Sequence, residues 1–389
     1  MLTESATELV QKEKLIKARR ATLLIFLVCG TGLASWVPMV PLAKIRLGLN
    51  DANLGLILLC LGAGAIVIMP FTSLLINRFG SRTIMLSASI LLASMLPLLL
   101  FANTSISLAI ALFLFGVGIG TIDVAMNAQA VIIQERLGKY IMSSFHGLFS
   151  LGGLFGSIGL GFLIKLGLSP LVGILSIALL LLVIALSQYK SLLPQEEETK
   201  LDSSSLIIPK GQVLILGLMC FVAFLAEGAV LDWSAVFLQF NRDFEAANAG
   251  LGFASFSVAM AIMRLSGDSL INKLGARKVV LYGGLIAAVG FLIAILLPFG
   301  IAALVGFILV GLGCANIVPV FFSTAGNLPN IPSSIAIAGV TTVGYIGQLA
   351  GPALLGFIAY LTSLPFALGL ISILLLIVAL TFPNWLKKL

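Results

Sequence analysis

A chain of 389 residues that is 60% hydrophobic and only 10% charged, with a mean hydropathy of +1.18, carries more apolar surface than a soluble core of that length can hide. That excludes a soluble enzyme or a nucleic-acid binder, and the formal charge of +7 is better explained by orientation in a bilayer. The chain also has a single histidine and no G-x-x-x-x-G-K phosphate loop, so no recognised route to ATP hydrolysis, metal catalysis or cofactor chemistry is present.

In chain order, residues 1–20 form a basic segment with Lys12, Lys14, Lys17, Arg19 and Arg20. Apolar spans follow at 21–44, 54–76, 84–102, 106–134, 142–166 and 168–188, the first half of the chain. Residues 189–212, rich in Pro, Ser and acidic side chains, read as a cytoplasmic linker. The second half, 213–389, holds spans at 213–238, 249–271, 279–299, 301–326, 334–360 and 364–384. Each is long enough to cross about 30 Å of hydrocarbon at about 1.5 Å per residue. Runs such as LLVIAL are apolar on all sides, which rules out the alternation of a membrane β-barrel. The predicted fold class is therefore all-α with twelve transmembrane helices.

The basic residues sort by side. Arg78 and Arg82, Arg136 and Lys139, and Lys273, Arg277 and Lys278 fall in alternate connections, whereas the others hold little beyond Lys44, Arg46, Lys165 and Arg242. Under the positive-inside rule both termini are cytoplasmic and the protein spans a cell inner membrane. Cys29, Cys60, Cys220 and Cys314 all lie within spans at scattered intervals and are assigned no chemistry.

The two halves repeat. Asn77-Arg78-Phe79-Gly80-Ser81-Arg82 returns 195 residues later as Asn272-Lys273-Leu274-Gly275-Ala276-Arg277. The same offset carries Gly55 to Gly250, Gly116 to Gly311, Gly118 to Gly313, Gly152 to Gly347, Gly156 to Gly351 and Gly161 to Gly356. Holding one register over that distance predicts two pseudo-symmetric six-helix halves, with a solute site between them near the midplane.

With its basic, Gly-containing turn in each half, the chain resembles the major facilitator superfamily. The stretches around Thr121–Gln129 and Ser143–Gly153, and Ala226–Trp233 on the seventh span, resemble the fucose-permease-like branch and its bacterial relatives. The resemblance implies a secondary transporter, working as a monomer by alternating access, with a small-molecule solute, protons and the lipid bilayer as its partners. It places a proton-responsive substrate site on an acid and an Asn four residues later, matched by Asp123 and Asn127. Two departures stand out. Asn77 and Asn272 occupy positions where the superfamily usually carries Asp, with Asp268 the candidate substitute in the second half. The acid that the branch carries on its first helix is missing from Gly32–Trp36.

Charges at a helix centre cost about 2.5 to 3.5 kcal/mol on insertion scales, so intramembrane ionisable groups are functional candidates by default. Asp123 is the candidate proton-coupling group, against a purely structural hydrogen-bonding role. Glu227 is the leading replacement for the missing first-helix acid, and His146 a candidate relay whose bland alternative is helix packing. Glu227 and Asp232 are five residues apart, about 140° around a regular helix, so only one of them is expected to face a common cavity unless the helix breaks near Gly228. Asp232 is then either a partner of Lys44 or Arg46 in an outer gate or a solvated charge at the rim, and Arg264 is expected to pair with Asp268 one turn away. Arg78, Arg82, Lys273 and Arg277 complete the candidate gating set. Trp36, Asn127, Asn316, Tyr345 and Gln348 are candidate solute contacts, with Thr341 on the same stripe as the last two. The favoured function is proton-coupled symport of a small polar, sugar-like solute. Proton-antiport export and a non-transporting membrane sensor remain the alternatives, and no enzymatic constellation is identified.

Overall fold

The computed structural model describes residues 2–138, 141–197, 210–329, 331 and 333–387, and its described residues are helical with short connections. The first six crossings are α1 (Leu2–Ser35) with α2 (Met39–Leu47), then α3 (Asp51–Phe79), α4 (Ser81–Phe101), α5 (Ser105–Leu137), α6 (Met142–Lys165) and α7 (Pro170–Gln188). The second six are α8 (Gly211–Asn241), α9 (Leu251–Leu265), α10 (Gly267–Leu296), α11 (Gly300–Cys314) with α12 (Ile317–Gly326), α13 (Ser333–Leu361) and α14 (Leu364–Leu386). Together they make 12 segments long and apolar enough to span a membrane. An even number of crossings brings both chain ends to one side, the terminal face.

Local chemistry sets most boundaries. Asn50 accepts from the Asn53 N–H at 2.8 Å to open α3, Thr104 and Ser107 form a reciprocal capping box at α5, and Ser169 and Ser363 cap α7 and α14 just before prolines. Gly80 (φ 77°, ψ 149°) turns α3 into α4, and Gly275 (φ 77°, ψ 156°) makes the equivalent turn inside α10. An L side chain rarely adopts that backbone conformation, so the repeated glycine in the basic loop is a conformational requirement.

Three boundaries differ from the sequence expectation. The basic N-terminal segment is helix continuous with the first crossing from Leu2 onward. The first crossing is interrupted at Trp36–Pro38, where Pro38 and Pro41 lack the N–H groups a continuous helix would use. The eighth crossing stops at Leu265, restarts at Gly267 and turns at Gly275.

The 195-residue register is realised as matched backbone contacts. A Cβ built on Gly116 would lie 1.9 Å from the Leu61 carbonyl oxygen, and one on Gly311 would lie 2.4 Å from that of Phe256, its counterpart. Both hold neighbouring helices of one half together. Between the halves, a Gly55 Cβ would meet the Pro352 carbonyl at 2.4 Å and a Gly250 Cβ that of Ser157 at 1.7 Å, again equivalent positions. These inter-half contacts cluster at the face opposite the termini, with Gly161 and Gly356 completing them. Outward-facing Leu179, Leu180, Val183 and Leu186 of α7 are more than half exposed, a surface suited to lipid.

Of the linker, residues 198–209 lie outside the described residues, but Tyr189–Glu197 docks on the terminal face of the first half. Leu192 and Leu193 are buried, the Leu193 N–H donates to Gln129 Oε1 at 3.3 Å, and Gln195 donates to the Asn77 carbonyl at 3.0 Å. Glu197 is paired with Lys14 and with Arg136, the latter at 2.9 Å. Lys14 and then Arg136 hold the Glu197 carboxyl below the ordinary value of 4.5, against a smaller desolvation effect of opposite sign. A depressed folded-state value means that the contact contributes stability above 4.5 and loses it as pH falls through the lower value. Hydrogen exchange of residues 189–197 is accordingly expected to be slow at neutral pH and to accelerate in acid, and Glu197→Gln should show the fast exchange already at neutral pH.

Candidate functional site

A cavity of about 470 Å³ lies between the halves, walled by α1, α3, α5 and α6 on one side and by α8 to α10, α12 and α13 on the other. Its wall reaches Met142, Ile271 and Phe322 in the turns nearest the terminal face, while the glycine contacts close the opposite face.

Asp123 and His146 line it from the first half. Asn127, one turn below Asp123, donates from Nδ2 to Asp123 Oδ1 at 3.2 Å and to the Asp123 carbonyl at 2.9 Å. Asn127 therefore orients the carboxyl and stands behind the cavity wall. The Phe26 ring lies edge-on to the His146 imidazole, with 5.5 Å between centroids, and the Arg264 charge acts on that imidazole.

Glu227, Asp232 and Arg264 line the cavity from the second half. Arg264 donates from Nη2 to both Glu227 carboxylate oxygens, at 3.3 and 3.4 Å, and from Nε to the Ala315 carbonyl at 3.4 Å. That carbonyl is free for a definite reason: the residue four ahead is Pro319, which has no N–H to return the helical bond, and the helix is interrupted between α11 and α12 at Ala315–Asn316. A second interruption, at Ser266, faces it. A Cβ on Gly267 would lie 2.2 Å from Asn316 Oδ1, and Asn316 Nδ2 donates to the Met263 carbonyl at 3.4 Å. Two broken helices thus meet at the cavity wall, where unwound backbone carbonyls become ligands for side chains. Tyr345 and Gln348 of α13 complete the polar wall, with the Tyr345 ring stacked on Phe224 at 5.2 Å and 20°.

Several expectations are corrected. Glu227 and Asp232 both face one cavity although α8 is unbroken from Gly211 to Asn241, because the cavity wraps around more than a third of the helix circumference. Asp232 pairs with neither Lys44 nor Arg46. Lys44 is bonded to Asp51 and sits 4.8 Å over the Phe240 ring, and Arg46 donates to the Leu99 and Leu100 carbonyls. Arg264 turns to Glu227 across to α8; the side chain of Asp268 lies outside the described residues. Trp36 is 2% exposed in the core beside the first-crossing interruption and forms no part of the cavity wall. Thr341 donates back to the Ile337 carbonyl at 2.8 Å. Arg82 lies 5.3 Å over Tyr189 and Arg78 5.1 Å over Phe79, while Lys273 and Arg277 flank the Gly275 turn, exposed. The sequence signals that point to the Arg264 site were Pro319 four residues after Ala315, and Ser266-Gly267 inside an apolar stretch.

Comparison with known proteins agrees over nearly the full length. The profile of the Major Facilitator Superfamily matches residues 22–332. The chain is 48% identical over 364 residues to an uncharacterized MFS-type transporter of Yersinia pestis, covering 94% of each chain. It is 32% identical to the membrane protein MosC of Rhizobium meliloti, over 88% of this chain and 84% of that one. Among solved structures, a bacterial homolog of the human lysosomal transporter Spinster, inward-facing and unoccupied, superposes with a TM-score of 0.73 at 15% identity, over 95% of this chain and 96% of that one. The nucleoside transporter NupG gives 0.69 at 14% identity, over 96% and 99%. Identities that low speak for the fold alone.

Proposed function

The chain belongs to the Major Facilitator Superfamily, and on that premise we propose that it is a proton-coupled symporter that imports a small polar, sugar-like solute by rocking of its two halves. The observation that carries this reading is Asp123, a carboxyl in mid-helix, held by Asn127 and facing the cavity between the halves. A carboxyl so placed can take a proton from one side and release it to the other as the cavity changes access. Tyr345 and Glu227 line the same cavity from the second half, so a solute held there would lie between the acids of the two halves. The basic residues gathered on the terminal face support cytoplasmic termini and an inner-membrane location, the glycine contacts at the opposite face then favour an inward-open state, and we place the solute against Gln348, Tyr345 and Asn316. Monomeric function is part of the same proposal.

In proteoliposomes, an inward proton gradient is expected to drive solute accumulation in the wild type. Asp123→Asn should abolish gradient-driven accumulation while solute exchange without a gradient persists. Accumulation that survives Asp123→Asn sinks the assignment.

A further inference from the structure

The charges of the cavity do not balance. Among the described residues its wall holds three carboxyl groups, Asp123, Glu227 and Asp232, against one guanidinium and one imidazole. Arg264 is committed to Glu227 and to the Ala315 carbonyl, and Asp123 accepts from Asn127. Asp232 is different. It is 7% exposed, it faces the cavity, and among the described residues it has neither a hydrogen-bond donor nor an ion-pair partner. The two cations on the nearby α2, Lys44 and Arg46, are held by Asp51 and by backbone carbonyls.

A carboxylate this buried with no donor is costly unless something else supplies the counter-charge. The position favours cargo over a structural partner. Asp232 lies nine residues from the end of α8, about 14 Å at 1.5 Å per residue, on the closed side of the cavity. A solute entering a cavity open on the other side would reach it last. The stacked Phe224 and Tyr345 rings offer an aromatic face to a cation in the same wall, and Gln348 and Asn316 offer amides to hydroxyl groups. The volume, about 470 Å³, is that of a small-molecule site.

We propose that the transported solute carries a protonated amine and that Asp232 is the residue that binds it, with the Phe224–Tyr345 pair and the cavity amides holding the rest of the molecule. This rests on the transporter reading above and narrows its substrate class from small polar, sugar-like solutes to amine-bearing ones.

Matched pairs that exchange an amine for a hydroxyl test it on the full-length protein: glucosamine against glucose, and putrescine against butane-1,4-diol, at neutral pH, where the amines are largely charged and the carboxyl is not driven to its protonated form. Thermal stabilisation is expected from amine members and not from their hydroxyl partners, since a ligand that binds only the folded state raises apparent stability. Asp232→Asn should weaken amine binding about tenfold or more, and Asp232→Glu should retain the amine preference. Equal stabilisation by both members of a pair, none by any amine at millimolar concentration, or undiminished amine binding by Asp232→Asn overturns the proposal. The last of these would mean that Asp232 is simply protonated in the cavity. The wild-type pairs decide the matter even if the Asn variant does not fold. Gradient-driven uptake of a neutral solute would leave the transporter reading standing and remove the amine assignment. Amine binding without accumulation would do the reverse.

Discussion

Replacing Arg264 by alanine is expected to cost about 3 kcal/mol or more of stability and to abolish transport, a larger stability loss than any other single change in the cavity. The reason is asymmetric. Arg264 and Glu227 are each mostly buried, with side-chain exposures of 22% and 15%, and among the described residues each is the other's only ion-pair partner. Removing one partner of such a pair leaves an uncompensated carboxylate, and the penalty is about 3 to 5 kcal/mol. The Ala315 carbonyl, already without its helical donor because of Pro319, loses its side-chain donor in the same step. Replacing both residues together, as Arg264→Met with Glu227→Leu, should recover most of the stability, since neither an orphan charge nor a void remains. Transport should not recover. Thermal unfolding of the single and double variants, measured beside proteoliposome uptake, checks both halves of the statement. A double variant no more stable than Arg264→Ala would show that the pair is not what the arginine stabilises.

The second large effect concerns the inter-half glycines. Gly250→Ala is expected to leave each half folded while displacing the conformational equilibrium away from the observed state. The added Cβ would lie 1.7 Å from the Ser157 carbonyl oxygen, and a backbone carbonyl cannot swing aside as a side-chain end can. The two halves must therefore separate at the face opposite the termini. Gly55→Ala, meeting Pro352 at 2.4 Å, should act the same way by pseudo-symmetry. Gly116→Ala gives the contrast: its Cβ would meet Leu61 of the same half at 1.9 Å, so the first half itself should lose stability. The readout is labelling of a cysteine introduced on the cavity wall from the face opposite the termini. Gly250→Ala and Gly55→Ala should raise that labelling several-fold and slow transport, whereas Gly116→Ala should lower the unfolding temperature without favouring access from that face. Unchanged labelling in both inter-half variants would mean that those contacts do not hold the face closed.

Composition and hydropathy by themselves determined that the chain crosses a membrane as twelve helices, because lipid forces the backbone N–H and C=O groups to pair within a helix or a closed barrel, and apolar runs without alternation exclude the barrel. The glycine register determined that the halves repeat, since a missing Cβ where two backbones meet is written directly into the sequence. Asp123, Asn316, Tyr345 and Gln348 were legible as cavity candidates, each a polar residue in an apolar span. Only the tertiary structure decided which charges meet. A charged side chain several ångströms long chooses among partners on other helices, and sequence spacing sees only those on its own, which is why the pairing of Arg264 with Glu227 across two helices was not foreseen. The same limit hid the freedom of Asp232: its expected partner Lys44 is taken by Asp51, and helical geometry alone could not show that the cavity curves far enough around α8 to include both acids. Trp36 reads as a solute contact by type, yet packing at the interruption of the first crossing buries it away from the cavity. What the folded chain adds is a set of commitments among charges, and among the described residues of the cavity wall the carboxyl they leave over is Asp232.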